Sequence, residues 1–101
     1  MNKNVILLSF LSLSIAACSY TPSCDDEDVV ALLKKIYRQN DLQFVALNNT
    51  TELNADDSKN IRMCNASLVY KDNTKSIDII NYEIKLNELD SFNNELVVEI
   101  F

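Results

Sequence analysis

The chain has 101 residues, which favours a single domain, and its apolar content of 48% is typical of a folded protein. It is acidic, with 15 Asp and Glu against 9 Lys and Arg, and the scattered basic residues form no patch that would bind nucleic acid. Glycine and histidine are absent, which excludes glycine-rich phosphate loops, histidine-dependent triads and imidazole zinc sites, so we expect no enzyme activity, cofactor or metal.

Residues 1–17 have the organisation of a secretory signal peptide. The start is basic at Lys3, the following run is apolar apart from serines, and the segment ends in small residues. The apolar run of 13 residues is shorter than the roughly 20 that a membrane-spanning helix needs. A buried N-terminal helix is the alternative, which the charge, the length and the small-residue ending disfavour.

The sequence IAAC, from Ile15 to Cys18, resembles the lipobox of bacterial lipoproteins, in which an aliphatic residue and two small residues precede a cysteine. The resemblance covers residues 1–18. It implies that the chain is cut before Cys18 and that palmitate and other acyl chains on this residue hold the protein in a membrane. Because Ser19 follows rather than an aspartate, it also implies transport to the periplasmic face of the outer membrane. Residues 18–22 are then a lipidated tether.

Two cysteines, Cys24 and Cys64, remain once Cys18 is acylated. Disulfides persist in exported proteins, so we predict one bond between these two residues. Closing the loop between Cys24 and Cys64 stabilises the fold by roughly 4 kcal/mol in the chain-entropy model. A redox pair or a metal site is the alternative, but redox motifs place their cysteines two residues apart, and two distant cysteines without histidine bind zinc poorly.

Residues 22–40 are predicted to form a helix capped by Ser23. Its apolar residues share one stripe: Val29, Leu32, Leu33, Ile36 and Tyr37. The acidic run at 25–28 complements the positive end of the helix dipole. It lacks the alternating spacing and the glycine of an EF-hand loop, so we do not predict a calcium site there.

Four strands are predicted after the helix, at 41–54, 61–70, 76–86 and 95–101. The first begins with apolar residues on both faces, so we expect burial on both faces there. Each of the other three has one apolar face; these faces contain Cys64, Ala66, Leu68 and Tyr70, then Ile80, Tyr82, Ile84 and Leu86, then Leu96, Val98 and Ile100. Asparagines stand where turns would otherwise use glycine: Asn48, Asn49, Asn54, Asn60, Asn73, Asn93 and Asn94.

The short connections between these strands predict an antiparallel meander. Residues 23–101 therefore form an α+β domain, in which one N-terminal helix packs on a four-stranded sheet and one disulfide braces the two layers. The outline resembles small cystatin-like or NTF2-like exported domains. This resemblance concerns the arrangement of elements and implies no site residue.

The function we predict is that of a membrane-anchored, non-catalytic binding module. Without Lys3 the chain has 8 basic and 15 acidic side chains, a net charge of −7, so a cationic protein partner is expected, with the module acting as an inhibitor or exclusion factor. The candidate contact residues are Asp56, Asp57, Asp72, Asp78 and Glu83. The alternative is a structural accessory subunit of an envelope or secretion complex, which offers strand 95–101 for strand addition.

Overall fold

In a computed structural model of the chain, which describes residues 10–16, 21–40, 42–70 and 78–101, one helix packs on one antiparallel sheet. The strands are β1 (Phe10–Ala16), β2 (Phe44–Asp56), β3 (Ile61–Tyr70), β4 (Asp78–Glu88) and β5 (Asn93–Ile100), and the helix is α1 (Glu27–Gln39). Their order across the sheet is β1-β5-β4-β3-β2, and all neighbouring strands are antiparallel. The α+β class and the meander of β2 to β5 are confirmed.

The predicted number of four strands is wrong, because the sheet has five and the additional one, β1, lies within the segment predicted to be a signal peptide. In β1, Leu11, Leu13 and Ile15 alternate with serines, which is the pattern of a strand with one apolar face. Leu11 and Ile15 pack against the core, and the strand pairs with β5. The alternative of a buried helix is also wrong for residues 10–16, which are extended.

Helix α1 begins at Glu27, later than predicted, and its N-cap is Asp26 rather than Ser23. The Asp26 carboxylate accepts a hydrogen bond from the backbone N–H of Asp28 at 2.9 Å. The start is displaced because Cys24 is bonded to β3 and the residues around it form a turn, in which the N–H of Asp26 donates to the carbonyl of Ser23 at 3.1 Å. The predicted apolar stripe is confirmed, and its buried members are Val29, Leu32, Leu33 and Ile36.

The core lies between α1 and the inner face of the sheet. The alternation predicted for β3, β4 and β5 is confirmed, since the buried residues of these strands include Cys64, Ala66, Leu68, Tyr70, Ile80, Tyr82, Ile84, Leu86, Leu96 and Val98. Burial of one large apolar side chain stabilises a fold by about 1.5–3 kcal/mol. The inner face therefore determines which way each of these strands presents its polar side chains, and Asn81, Glu83 and Glu95 are among those on the outer face.

Strand β2 differs from its prediction. Phe44 is buried, but Val45 is 48% exposed, so the expected burial on both faces is wrong. Val45 follows the buried Phe44 and therefore lies on the face opposite the core. Along β2, three register shifts against β3 each change the face that the following residues occupy. At the second shift Asn49 has φ 52°, and Asn60 has φ 55° in the turn before β3. The expectation that asparagine replaces glycine in the left-handed conformation is therefore confirmed at Asn49 and Asn60 and is wrong at the described residues that lie in strands without a positive φ, which are Asn48, Asn54, Asn93 and Asn94. Asn73 lies outside the described residues.

Candidate functional site

The disulfide between Cys24 and Cys64 joins the turn before α1 to the middle of β3, as predicted. The two Cα atoms are 5.8 Å apart, and both cysteines are buried. On the neighbouring strand the Tyr82 hydroxyl donates a hydrogen bond to the carbonyl oxygen of Cys24 at 2.7 Å. Burial, with a smaller effect of the Asp25 charge, raises the pKa of Tyr82 to about 12. The start of the helical layer is therefore fixed to two adjacent strands.

A second attachment lies just before the disulfide, where Arg62 of β3 binds the segment that enters the domain. Its Nε donates to the carbonyl oxygen of Pro22 at 2.9 Å, and its Nη2 donates to that of Thr21 at 3.1 Å. Its Nη1 forms an ion pair with Glu52 of β2, and Thr21 is buried. Hydrogen bonds from a charged donor are stronger than neutral ones. The chain is thus fixed to the sheet three residues after Cys18.

The structure does not bring the predicted contact residues together on one surface. Asp56 ends β2 and Asp57 follows it in the turn, whereas Asp78 begins β4 at the opposite end of the sheet. The two ends are seven residues apart along β3, which is roughly 23 Å. Glu83 lies on the outer face of β4, and Asp72 lies outside the described residues. Their role in binding stays a prediction.

Two of these acids have partners within the fold. The Asp56 carboxylate accepts hydrogen bonds from the Ser58 hydroxyl at 2.6 Å and from its N–H at 3.1 Å, and these bonds lower the pKa of Asp56. The Asp78 carboxylate accepts a hydrogen bond from the Tyr70 hydroxyl. Burial and this carboxylate raise the pKa of Tyr70. The Asp56 carboxylate therefore stabilises the turn after β2, and the Asp78 carboxylate links the start of β4 to the end of β3. Both carboxylates remain accessible at the surface.

The outer face of β4 and β5 carries three glutamates, of which Glu83 is among the predicted contact residues. Glu83 lies directly opposite Glu99, and Glu95 lies four residues earlier on the same face of β5. Like charges directly opposite each other on neighbouring strands destabilise a sheet. The alternation in residues 95–100, which turns Leu96 inward and the two glutamates outward, is the pattern from which they could have been found.

Comparison of the chain with protein-family models, with curated proteins and with solved structures finds no match. Within the described ranges, no helix has both the length and the apolar character needed to cross a membrane. In that same part of the chain, no three side chains of Cys, Asp or Glu are grouped so that they could hold a metal ion. Cys18 lies outside the described residues, so its acylation stays a prediction.

Proposed function

We propose that the chain is an exported, lipid-anchored protein whose folded part, residues 23–101, is a non-catalytic binding module. Residues 1–17 are removed as a signal peptide, and acyl chains on Cys18 hold the domain at the periplasmic face of the outer membrane. The observation that carries this proposal is the sequence IAAC at the end of the apolar run. The bond between Cys24 and Cys64 supports export independently, because disulfides persist in oxidising compartments.

The attachment by Arg62 gives the proposed anchor a short reach. Cys18 is three residues before Thr21, whose carbonyl oxygen accepts a hydrogen bond from Arg62. A fully extended chain of this length spans about 10 Å. Several acyl chains anchor a protein stably where one would not, so the domain stays at the membrane. Because the reach is short, the Arg62 end of β3 lies nearest the lipid.

The partner that fits the charge of the module is a cationic protein. The chain without residues 1–17 has a net charge of −7, and on the outer face Glu83 lies opposite Glu99, with Lys85 two residues further along β4. This facing pair weakens the sheet, and a cation placed between the two carboxylates would offset the repulsion. Charge of one sign also accelerates association with an oppositely charged partner. The module would act as an inhibitor or exclusion factor.

The alternative is a structural accessory subunit of an envelope or secretion complex. The observation that favours it is the regular pairing of β5 with β1, because a strand edge of this geometry suits the addition of a strand. Both versions keep the lipid anchor and differ in the surface that binds.

The anchor is tested by expressing the full-length gene in a bacterium supplied with radioactive palmitate. The wild-type protein is expected to carry label and to have the mass of a chain that begins at Cys18. A Cys18→Ala variant is expected to be unlabelled and to retain residues 1–17. The matched control is Cys24→Ala with Cys64→Ala, which keeps Cys18 and should still be labelled. Label that persists in Cys18→Ala, or is missing from the wild type, contradicts the proposal.

The binding surface is tested by capture of envelope proteins on the processed protein. A cationic partner should be retained at low salt and released at high salt, because exposed charges are screened over about 8 Å at physiological ionic strength. It should be lost when Glu83 and Glu99 are both replaced by Lys, and a loss that also follows replacement of Asp56 and Asp57 by Lys would extend the contact surface to the end of β2. A partner that survives high salt and both double replacements supports the accessory subunit.

A further inference from the structure

Strand β1 pairs with β5 in an unbroken register. Seven consecutive residues are matched, from Phe10 opposite Glu99 to Ala16 opposite Asn93, with no shift between them. The edge of β5 therefore has the regular geometry of a strand that can accept another along its whole length. According to the proposed function, the segment that fills this edge is cut from the chain.

Removal of β1 uncovers apolar surface on the inner side of this edge. Leu11 lies opposite Val98 and Leu13 lies opposite Leu96, and both residues of β5 are fully buried. Helix α1 contacts β1 as well as β5, so one wall of the vacated position is helix and the other is strand. A bare, regular strand edge with apolar neighbours is a site for pairing with another chain.

The outer side of the same edge carries negative charge, which favours a cationic segment at this edge. Glu99 and Glu95 lie on β5 opposite Phe10 and Ser14, neither of which has a charge. A second copy is a poor occupant, because antiparallel pairing with Val97 opposite its own equivalent would place Glu95 opposite Glu99 twice. Lysine or arginine at the positions of Phe10 and Ser14 would instead face a glutamate each.

We propose that the β5 edge, freed by removal of residues 1–17, pairs with an extended segment of a partner protein in which apolar residues alternate with lysine or arginine. The inference rests on the proposed cleavage before Cys18. The apolar residues of the segment take the places of Leu11, Leu13 and Ile15 on the inner side of the edge. Its cationic residues lie across from Glu95 and Glu99, and backbone hydrogen bonds along β5 supply affinity that does not depend on sequence.

The test uses processed protein, purified in detergent from cells that express the full-length gene, and synthetic heptapeptides based on residues 10–16. One peptide carries Lys in place of Phe10 and Ser14, a second carries Glu at these two positions, and a third keeps both Lys but has Ser in place of its three inward apolar residues. Amide hydrogen exchange of β5 and of β2 is followed as peptide is added. Mass spectrometry of the same preparation shows whether residues 1–17 have been removed.

The lysine peptide should slow exchange in β5 and leave β2 unchanged. It should bind about tenfold more tightly than the glutamate peptide, since two cross-strand charge pairs change sign between them. The peptide with inward serines should give no protection. In a Glu95→Lys, Glu99→Lys variant the preference should reverse, and retention of the disulfide in that variant shows that it has folded.

Three results overturn the proposal and can be distinguished from one another. A processed chain that is protected by neither charged peptide, or equally by both, overturns the edge site and leaves the lipid anchor standing. A processed chain that is dimeric and already protected in β5 shows that a second copy occupies the edge. A chain that retains residues 1–17 keeps β1 on β5, and overturns the anchor and the edge site together.

Discussion

At one edge of the sheet, β2 pairs with β3 through three register shifts and exposes most of residues 48–54, which are polar except for Leu53. At the other edge, β1 pairs with β5 residue by residue and packs Leu11 and Ile15 against the core. Bulges and polar side chains prevent a strand edge from adding further strands, whereas a regular edge with an apolar side invites them. The sheet is thus protected against addition at β2, whereas β5 has a regular edge that is paired along its length by β1.

The largest expected effect concerns the disulfide, which stabilises the β2 side of this comparison. Replacing both Cys24 and Cys64 by Ala should lower the free energy of unfolding by about 4 kcal/mol, because the 40-residue loop is no longer closed in the unfolded chain. Denaturant unfolding measures the loss, and reduced wild-type protein should match the variant. Hydrogen exchange should accelerate more in β2 and β3 than in β5. An unchanged unfolding midpoint would refute the stabilising role.

A matched pair of leucines compares the two sides directly. Leu96 of β5 is fully buried, and Leu53 of β2 is 57% exposed. Leu96→Ala should lower the free energy of unfolding by about 3 kcal/mol, because it leaves a cavity in the core. Leu53→Ala should change it by less than about 0.5 kcal/mol. Equal losses in denaturant unfolding would mean that β2 is packed as tightly as β5, and the comparison would fail.

The third test acts on the centre of the sheet, which both edges share. Tyr82→Phe removes the hydrogen bond to the Cys24 carbonyl and should lower the free energy of unfolding by about 1–2 kcal/mol at neutral pH. The folded pKa of about 12 lies above the unfolded value of about 10. The unfolded state therefore loses the proton first, and stability present below pH 10 is lost as the pH rises through 12.

The Tyr82→Phe variant should lack the part of the stability loss at alkaline pH that comes from the Tyr82 hydroxyl. Tyr37 and Tyr70 also have raised pKa values, but they are common to the wild type and the variant, so the difference between the two pH profiles isolates Tyr82. Stability is measured by chemical denaturation at several pH values. Parallel profiles for the two proteins would show that the Tyr82 proton is equally bound in the folded and unfolded states.

The smallest expected effect concerns the bulge of β2 at Asn49, whose φ is 52°. Asn49→Ala should lower the free energy of unfolding by about 1 kcal/mol, because a Cβ without a polar side chain is unfavourable in the left-handed region. Asn49→Gly keeps the bulge without this penalty and serves as the control. If alanine and glycine are tolerated equally, the bulge is not maintained by the backbone conformation of this residue.

Much of the fold was predictable because burial imposes a simple period on regular elements. The inner residues of β3 and β4 follow a strict alternation, and the stripe on α1 follows the helical period. The disulfide was predictable because two cysteines are left once Cys18 is assigned to the predicted lipobox. The start of α1 was misplaced because the tie from Cys24 to β3 overrides the local preference of Ser23 for a cap.

The predictions fail where the alternation of apolar residues is broken, or where one pattern fits two different structures. Each bulge in β2 changes which face is buried, and a pattern of apolar residues does not show where a bulge will form. The sequence of residues 10–16 fits both a signal peptide and a strand, and the strand can be recognised only from its pairing with β5. Arg62 could not be assigned because both carbonyl groups that it binds belong to a segment 40 residues earlier.

The pairing of β1 with β5 also determines how late in synthesis this part of the sheet can form. Leu13 and Leu96 are neighbours in space, but nearly the whole described chain separates them. Contacts between such distant residues form late, and β5 is the last of the described strands to be synthesised. At about 5–20 residues per second, synthesis takes roughly 4–15 s to proceed from the end of β1 to the start of β5. During that interval β5, the strand with which β1 pairs, has not been made, so under the proposed export and cleavage a translocation machine or a peptidase would meet no competition from this pairing.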